Sequence, residues 1–185
     1  MEIITLTLEQ DHLIQQAAQI LVDGFKIHWP EAWPTLQDGL DEVHEMLSSD
    51  RILRIALDAQ GNVAGWIGGI PQYDGLVWEL HPLVVKTELQ GKGLGSALVL
   101  DLEEQVRARG AITITLGTDD EDDSTSLSNI DLYEDTWKKI KEIKNLKGHP
   151  FAFYQKMGFT ITGVMPDANG IGKPDILMSK RVQQK

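Results

Sequence analysis

The spacing of apolar residues divides the chain into helical and extended segments. Apolar residues that recur every three or four positions mark one face of a helix, whereas alternating or short continuous apolar runs indicate strands. Helical spacing occupies residues 8–22, 36–48, 95–109 and 150–158. Strand patterns occupy residues 51–58, 63–70, 76–85, 111–117, 159–165 and 175–182.

The order of these segments predicts an α+β (mixed α/β) fold. The short turn AQGN at 59–62 joins two apolar runs, which favours a β-hairpin. Residues 76–117 follow as strand, glycine-rich loop, helix and strand, and a further amphipathic segment covers 130–146. Because the sequence has neither an internal repeat nor a linker-like stretch, we expect one domain over residues 1–185.

Composition narrows the classes of function. The chain has no cysteine, which excludes disulfides, thiolate nucleophiles and thiolate metal sites. Its 28 acidic and 17 basic residues give a formal net charge of -11, which disfavours nucleic acid and anionic membranes as partners. An acidic surface can attract a cationic substrate, although the same charge can simply keep a protein soluble. Since the sequence has no signal-peptide core and no apolar run of roughly 18–20 residues, we expect a cytoplasmic protein.

The glycine-rich stretch LQGKGLGSA lies between a predicted strand and a predicted helix. At such a junction, free backbone N–H groups and the helix dipole favour a bound anion. The order of glycines and lysine does not fit a Walker A or a Rossmann loop. It fits the pattern Q/R-x-x-G-x-G/A through Gln90, Gly93 and Gly95. The alternative is a glycine-rich turn that binds no ligand.

This pattern resembles the acetyl-CoA loop of the GNAT N-acetyltransferase superfamily. The stretches WELHPLVV (78–85), ITITLGTDDEDDSTSLS (112–128) and HPFAFYQKMGF (149–159) resemble the aminoglycoside 6′-N-acetyltransferases (type I) of that superfamily. The resemblance implies a mostly antiparallel sheet of about seven strands, splayed at the acetyl-CoA site and flanked by helices. It also implies that acetyl-CoA is bound by Leu83, Val84, Val85, Gln90, Gly91, Lys92, Gly93, Leu94, Gly95, Ser96 and Asn145.

Two candidate catalytic residues occupy WELHPLVV. Strand alternation puts Glu79 and His81 on one face, and Pro82 cannot donate to a ladder, so we expect a bulge or splay after His81. The resemblance implies that Glu79 holds the ammonium substrate and accepts its proton directly or through water. His81 relays a proton, orients Glu79 or simply caps the bulge. The resemblance further implies that the backbone of Leu83 and Val85 binds pantetheine and the thioester oxygen.

Tyr154, in FAFYQKMGF, matches the superfamily tyrosine that lies near the CoA sulfur. The resemblance implies that its hydroxyl protonates the leaving thiolate. The alternative is a core aromatic residue on a short helix beside Phe151 and Phe153.

Five adjacent acidic residues, 119–123, follow the strand AITITLG. The resemblance implies that Asp119 and Asp122 bind ammonium groups of the acceptor. Such a loop can also be merely solvated or hold a divalent cation. The spacing D-x-[DN]-x-[DN]-G is absent, so we expect no metal.

The sequence therefore predicts an acetyl-CoA-dependent N-acetyltransferase that acts on the 6′-amine of an aminoglycoside. One alternative is the same chemistry on a polyamine, a small metabolite or a peptide N-terminus. Another is a CoA-binding protein without catalysis, against which the presence of Glu79 and Tyr154 argues. The resemblance also implies a possible homodimer.

Overall fold

The computed structural model describes residues 2–183, which form seven strands and five α-helices. The strands are β1 (Glu2–Thr5), β2 (Ile52–Leu57), β3 (Val63–Gln72), β4 (Val77–Val85), β5 (Thr113–Asp119), β6 (Thr160–Met165) and β7 (Asp175–Arg181). The helices are α1 (Asp11–Phe25), α2 (Leu36–Met46), α3 (Leu94–Ala108), α4 (Thr136–Lys141) and α5 (Phe151–Lys156).

The chain packs as two compact units. The first comprises the described residues up to Ile114 together with residues 182–183, and the second comprises Thr115–Arg181. Both units combine strands with helices, so the predicted mixed α/β class with about seven strands is confirmed. The expectation of a single domain over 1–185 stays a prediction, and positions 1, 184 and 185 lie outside the described residues.

Strands β1 to β4 of the first unit pair antiparallel in chain order. The predicted hairpin is confirmed as β2 and β3. Its turn is held by Asp58, whose Oδ1 accepts from the backbone N–H groups of Gln60 and Asn62, each at 2.9 Å. Short polar side chains that bond nearby backbone in this way are typical of tight turns.

Helices cover both faces of this four-stranded arrangement. On one face α1 packs against β3, where Trp66 Nε1 donates to Ala17 O at 2.9 Å. Arg54 points to the opposite face from its neighbour Ile55, and it forms an ion pair with Asp101 of α3 at 2.7 Å. The core under α1 and α2 combines aliphatic residues of both helices and of β2 to β4 with the buried ring of Trp66.

In the second unit, β7 lies between β5 and β6, and it pairs antiparallel with β6. Helix α5 packs on β6 and β7. The amphipathic segment predicted over 130–146 is helical only at α4, six residues long. Around α4, side chains bond loop carbonyls: Thr136 Oγ1 donates to Leu132 O at 2.6 Å, for example.

The sequence pattern gave no indication of β1, which has only four residues and pairs with β2 along one edge. Within residues 2–183, none of the helices combines the length and the apolar character needed to cross a membrane.

Candidate active site

Strand β4 carries two predicted catalytic side chains on one face. Trp78 and Leu80 are buried, whereas Glu79 and His81 are partly exposed, so the predicted alternation is confirmed. Gln72 Nε2, at the end of β3, donates to Glu79 Oε2 at 2.7 Å. An amide donor on the neighbouring strand therefore holds the Glu79 carboxylate, whose two oxygens have room for further hydrogen bonds.

A β-bulge interrupts β4 at His81 and Pro82. Opposite one residue of β3, Gly68, β4 has two residues, His81 and Pro82, and the peptide bond between these two is cis. Gly68 makes the close approach possible, because a Cβ there would collide with the carbonyl oxygen of His81 and with Met46 Cε. The predicted bulge after His81 is confirmed.

The register beyond the bulge sets the direction of the backbone amides. Lys86 N donates to Ala64 O at 3.0 Å, so this residue pair is a hydrogen-bonded pair of the ladder. Hydrogen-bonded and non-hydrogen-bonded pairs alternate along antiparallel strands, so the N–H groups of Leu83 and Val85 point away from β3. Their proposed contact with pantetheine and the thioester oxygen requires this direction, and that contact stays a prediction.

The loop between β4 and α3 has the backbone geometry of an anion site. Gly91 and Gly93 have φ angles of 71° and 88°, in the left-handed region that favours glycine. Gly93 is the N-cap of α3, where no side chain caps the helix end and no acidic residue occupies the first turn. The first N–H groups of α3 have no partner in a preceding turn, so they and the helix dipole favour a phosphate.

Two side chains of the loop bond backbone carbonyls. Gln90 Nε2 donates to Val85 O at 3.2 Å, and Lys92 Nζ donates to Glu88 O at 2.8 Å. These bonds tie the loop to the end of β4 and fix its shape. The left-handed glycines, the uncapped helix and the absence of first-turn carboxylates fit the pyrophosphate of CoA.

A buried aspartate organises the acidic loop after β5. Asp120 is 0% exposed, and its two carboxylate oxygens accept four hydrogen bonds. The donors are Ser124 N, Thr125 N, Thr125 Oγ1 and Ser128 Oγ, at 2.5 to 2.9 Å. These bonds satisfy a carboxylate that burial would otherwise penalise, and they close the loop on itself.

Of the two predicted acceptor-binding aspartates, Asp119 ends β5 and Asp122 lies on this loop, and both are partly exposed. Asp119 Oδ1 accepts from Asn169 Nδ2 at 2.6 Å, and Asp122 Oδ1 accepts from Ser124 Oγ. Glu121 lies between these two aspartates in the chain. Burial raises the pKa of its carboxyl group, and the charge of Asp119 raises it further. Carboxylates crowded in this way repel one another, and a bound cation would relieve that repulsion.

Asn145 and His149 brace the chain that leads into α5. Asn145 Oδ1 accepts from the backbone N–H groups of Gly148 and His149, and its Nδ2 donates to His149 O. His149 Nδ1 accepts from Phe151 N, so the ring proton is on Nε2, which donates to Asp119 O at 3.0 Å. Burial lowers the pKa of His149 and favours this neutral form. The assignment of Asn145 to CoA binding stays a prediction.

Tyr154 lies on α5 among aromatic rings. Its ring centroid is 5.1 Å from that of Phe153 and 5.7 Å from that of Phe159. Burial raises the pKa of the Tyr154 hydroxyl, so the group stays protonated throughout the neutral range. A buried hydroxyl with a raised pKa fits a core aromatic and makes the group a weaker acid, and the role of Tyr154 as the acid stays a prediction.

The predicted site residues thus fall into two groups. In the first unit, Glu79, His81, the stretch 83–85 and the loop 90–96 are brought together on β4 and the turn after it. The second unit holds Asp119, Asp122, Asn145 and Tyr154. Within 2–183, no group of three or more histidine and acidic side chains is arranged to hold a metal ion.

The family of the chain follows from its sequence match. Residues 14–135 match the model of the acetyltransferase (GNAT) family, and this range includes β4, the glycine loop and the acidic loop. The chain belongs to the GNAT family. The resemblance inferred from the motifs is confirmed.

This GNAT chain is similar over its full length to solved aminoglycoside 6′-N-acetyltransferases. One, solved as a complex with coenzyme A, is 43% identical with a TM-score of 0.92, and the match covers 100% of this chain and 99% of that chain. The enzyme from Enterococcus faecium is 41% identical with a TM-score of 0.90 and the same coverage. An acetyltransferase from Photorhabdus laumondii is 32% identical over 93 residues, which is 49% of this chain and 64% of that relative.

Two side chains around the β4 residues of this GNAT site have no signal in the sequence. Gln72 bonds Glu79, and Glu42 lies beside His81. Their residue types carry no signal, because a glutamate on the polar side of a helix pattern and a glutamine after a strand are ordinary surface residues. The pairing of β3 with β4 reveals Gln72, and the contact of α2 with His81 reveals Glu42.

Proposed function

We propose that this GNAT protein transfers the acetyl group of acetyl-CoA to the 6′-amine of an aminoglycoside. The observation that carries the proposal is the full-length similarity to aminoglycoside 6′-N-acetyltransferases, at 43% identity and a TM-score of 0.92. The match covers nearly every residue of both chains, so it includes the glycine loop and the acidic loop as well as the helices and strands.

The glycine loop supports acetyl-CoA as the donor. Gly91, Gly93 and the uncapped start of α3 offer backbone N–H groups and a positive dipole to the pyrophosphate. When bound, acetyl-CoA supplies the acetyl group as a thioester, which a neutral amine attacks without a protein nucleophile. The pyrophosphate serves as a handle and is not consumed.

Glu79 is the proposed base. Gln72 fixes one carboxylate oxygen of Glu79, so the group is oriented to bind the acceptor ammonium and to take its proton directly or through water. The N–H groups of Leu83 and Val85 donate to the thioester oxygen as charge develops there. The amine would form the N–C bond of a tetrahedral intermediate, whose collapse would break the C–S bond. The nitrogen would lose its second proton to water, and the leaving thiolate would take a proton from Tyr154, which would be restored from solvent.

The acidic loop supports a polycationic acceptor. Asp119, Glu121 and Asp122 concentrate negative charge on a loop that the bonds of Asp120 hold in shape. An aminoglycoside carries several ammonium groups, and carboxylates of this loop are suited to bind one of them.

A turnover screen tests the proposal. CoA release is measured with acetyl-CoA and panels of aminoglycosides, polyamines and peptides, with Glu79→Gln and Glu104→Gln variants in parallel. We expect the highest kcat/KM for aminoglycosides, a loss of about a hundredfold in Glu79→Gln and wild-type rates in Glu104→Gln, since Glu104 is an exposed residue of α3. If a polyamine or a peptide were the best acceptor, the proposed aminoglycoside substrate would be wrong. If no amine were acetylated, the result would favour a CoA-binding protein without catalysis.

A further inference from the structure

Glu42 lies beside His81 but belongs to a different element. It sits on α2, its side chain is only 16% exposed, and its Oε1 is 3.8 Å from His81 Nε2. His81 itself is 41% exposed on the face of β4 that carries Glu79. A poorly solvated carboxylate therefore lies next to the more open imidazole.

Trp33 holds the other oxygen of this carboxylate. Its Nε1 donates to Glu42 Oε2 at 3.3 Å, and its ring lies 5.8 Å from the imidazole of His81. Trp33 is itself fixed by an edge contact with Phe25, at 4.7 Å between ring centroids. The indole thus contacts both members of the pair and limits their rotation.

The start of α2 is also well anchored. Thr35 and Asp38 form a capping box, in which Thr35 accepts from Asp38 N and Asp38 accepts from Thr35 N. This cap stabilises the first turn of the helix that presents Glu42. The carboxylate is therefore delivered from a rigid element, as a positioning group requires.

An ordinary surface ion pair does not account for this arrangement. Exposed pairs contribute little to stability, and a glutamate loses solvation when it is mostly covered. Glu45, on the same helix, shows the ordinary case, since it is 63% exposed and pairs with Arg51 at 2.7 Å. Glu42 is instead covered, held by an indole and directed at the strand face of Glu79.

We propose that Glu42 is a positioning residue for His81. Its carboxylate, held by Trp33 and 3.8 Å from the imidazole, fixes that ring on the Glu79 face of β4. The inference rests on the proposed function, in which this face receives the acceptor amine. Glu42 acts through His81 and does not touch the reacting atoms.

A double-mutant cycle in kcat tests the coupling. We expect Glu42→Gln to lower kcat by about tenfold with little change in the KM for acetyl-CoA, and to have no further effect in a His81→Gln background. Trp33→Phe, which keeps a ring but loses the N–H donor, should give a smaller loss. Glu45→Gln is the matched control and should keep the wild-type kcat. Equal losses from Glu42→Gln in both backgrounds would show that Glu42 acts independently of His81.

A measurement without turnover separates this inference from the proposed function. The ring signals of His81 are recorded by NMR in the wild type, Glu42→Gln and Glu45→Gln. We expect the signals to move in Glu42→Gln alone, and unmoved signals would overturn the inference. If the wild type acetylates no aminoglycoside, the proposed function fails, while the NMR result still decides whether Glu42 positions His81. The kinetic cycle then uses the amine that the turnover screen identifies.

Discussion

The N-cap of α3 depends on a single glycine. Gly93 has a φ of 88°, a conformation that costs an L side chain roughly 1–2 kcal/mol, and open space surrounds the position of its missing Cβ. A substitution there would act through the backbone and not through a clash.

We expect Gly93→Val to weaken acetyl-CoA binding by about tenfold in calorimetry, because the valine disfavours the backbone shape that presents the N–H groups. Gly61→Val is the matched control. Gly61 has a φ of 81° and equally open surroundings, but it lies in the β2–β3 turn. Its variant should lose stability and keep the wild-type Kd. A wild-type Kd for acetyl-CoA in Gly93→Val as well would show that the glycine loop does not take part in binding.

Tyr154 allows a second test at this scale. A tyrosine hydroxyl is protonated at neutral pH, and burial raises the pKa of Tyr154 further, so its removal takes away a donor that is present at every working pH. We expect Tyr154→Phe to lower kcat by roughly a hundredfold with acetyl-CoA affinity nearly unchanged. Tyr133→Phe, at a tyrosine that is 73% exposed, should keep the wild-type kcat. An unchanged kcat in Tyr154→Phe, with chemistry shown to be rate-limiting, would make Tyr154 a packing residue.

The shape of the acidic loop depends on the hydrogen bonds that the buried carboxylate of Asp120 accepts. Asp120→Ala would leave the backbone N–H groups of Ser124 and Thr125 and two hydroxyls without their acceptor. We expect the free energy of unfolding to fall by about 3 kcal/mol and the KM for the acceptor to rise, since the loop loses its shape. Denaturant titration and steady-state kinetics measure the two effects.

The exposed Asp131 is the control for this loop, because its Oδ1 accepts only a local bond from Tyr133 N. Asp131→Ala should change stability by less than about 1 kcal/mol. If Asp120→Ala kept wild-type stability, the four bonds would not be what holds the loop.

Local patterns predicted the elements well. Helix α3, the β2–β3 hairpin and β4 follow directly from apolar spacing and turn residues, and Pro82 correctly indicated the bulge. The strand β1 was missed because four residues carry too little periodicity, and its pairing with β2 joins distant segments.

The chemistry of the site was only partly readable. Glu79 and Tyr154 came from motif resemblance, whereas the bonds of Gln72 and Glu42 join residues that no local spacing relates. Asp120 was hidden among five adjacent acidic residues, because sequence does not show which one of them folds inward. Contacts between side chains that only tertiary packing brings together could not be predicted from the sequence.

The charge of the whole molecule predicts a salt effect on the acceptor. A formal net charge of -11 attracts a polycation over a distance comparable to the Debye length, and added salt screens that attraction. We expect the KM for an aminoglycoside to rise by about tenfold when NaCl increases from roughly 20 to 300 mM. The KM for acetyl-CoA, an anion, should not rise in parallel. A salt-independent acceptor KM would show that the acidic surface plays no part in recognition.

The central claim is that the protein acetylates the 6′-amine of an aminoglycoside, and paired acceptors test it most directly. Initial rates are compared for a kanamycin-type substrate with a free 6′-amine and for an analogue that carries a hydroxyl there, and the product is mapped by NMR. We expect turnover only with the 6′-amine and a single acetyl group at that nitrogen. Equal rates with both substrates, or an acetyl group at another amine, would contradict the proposed function.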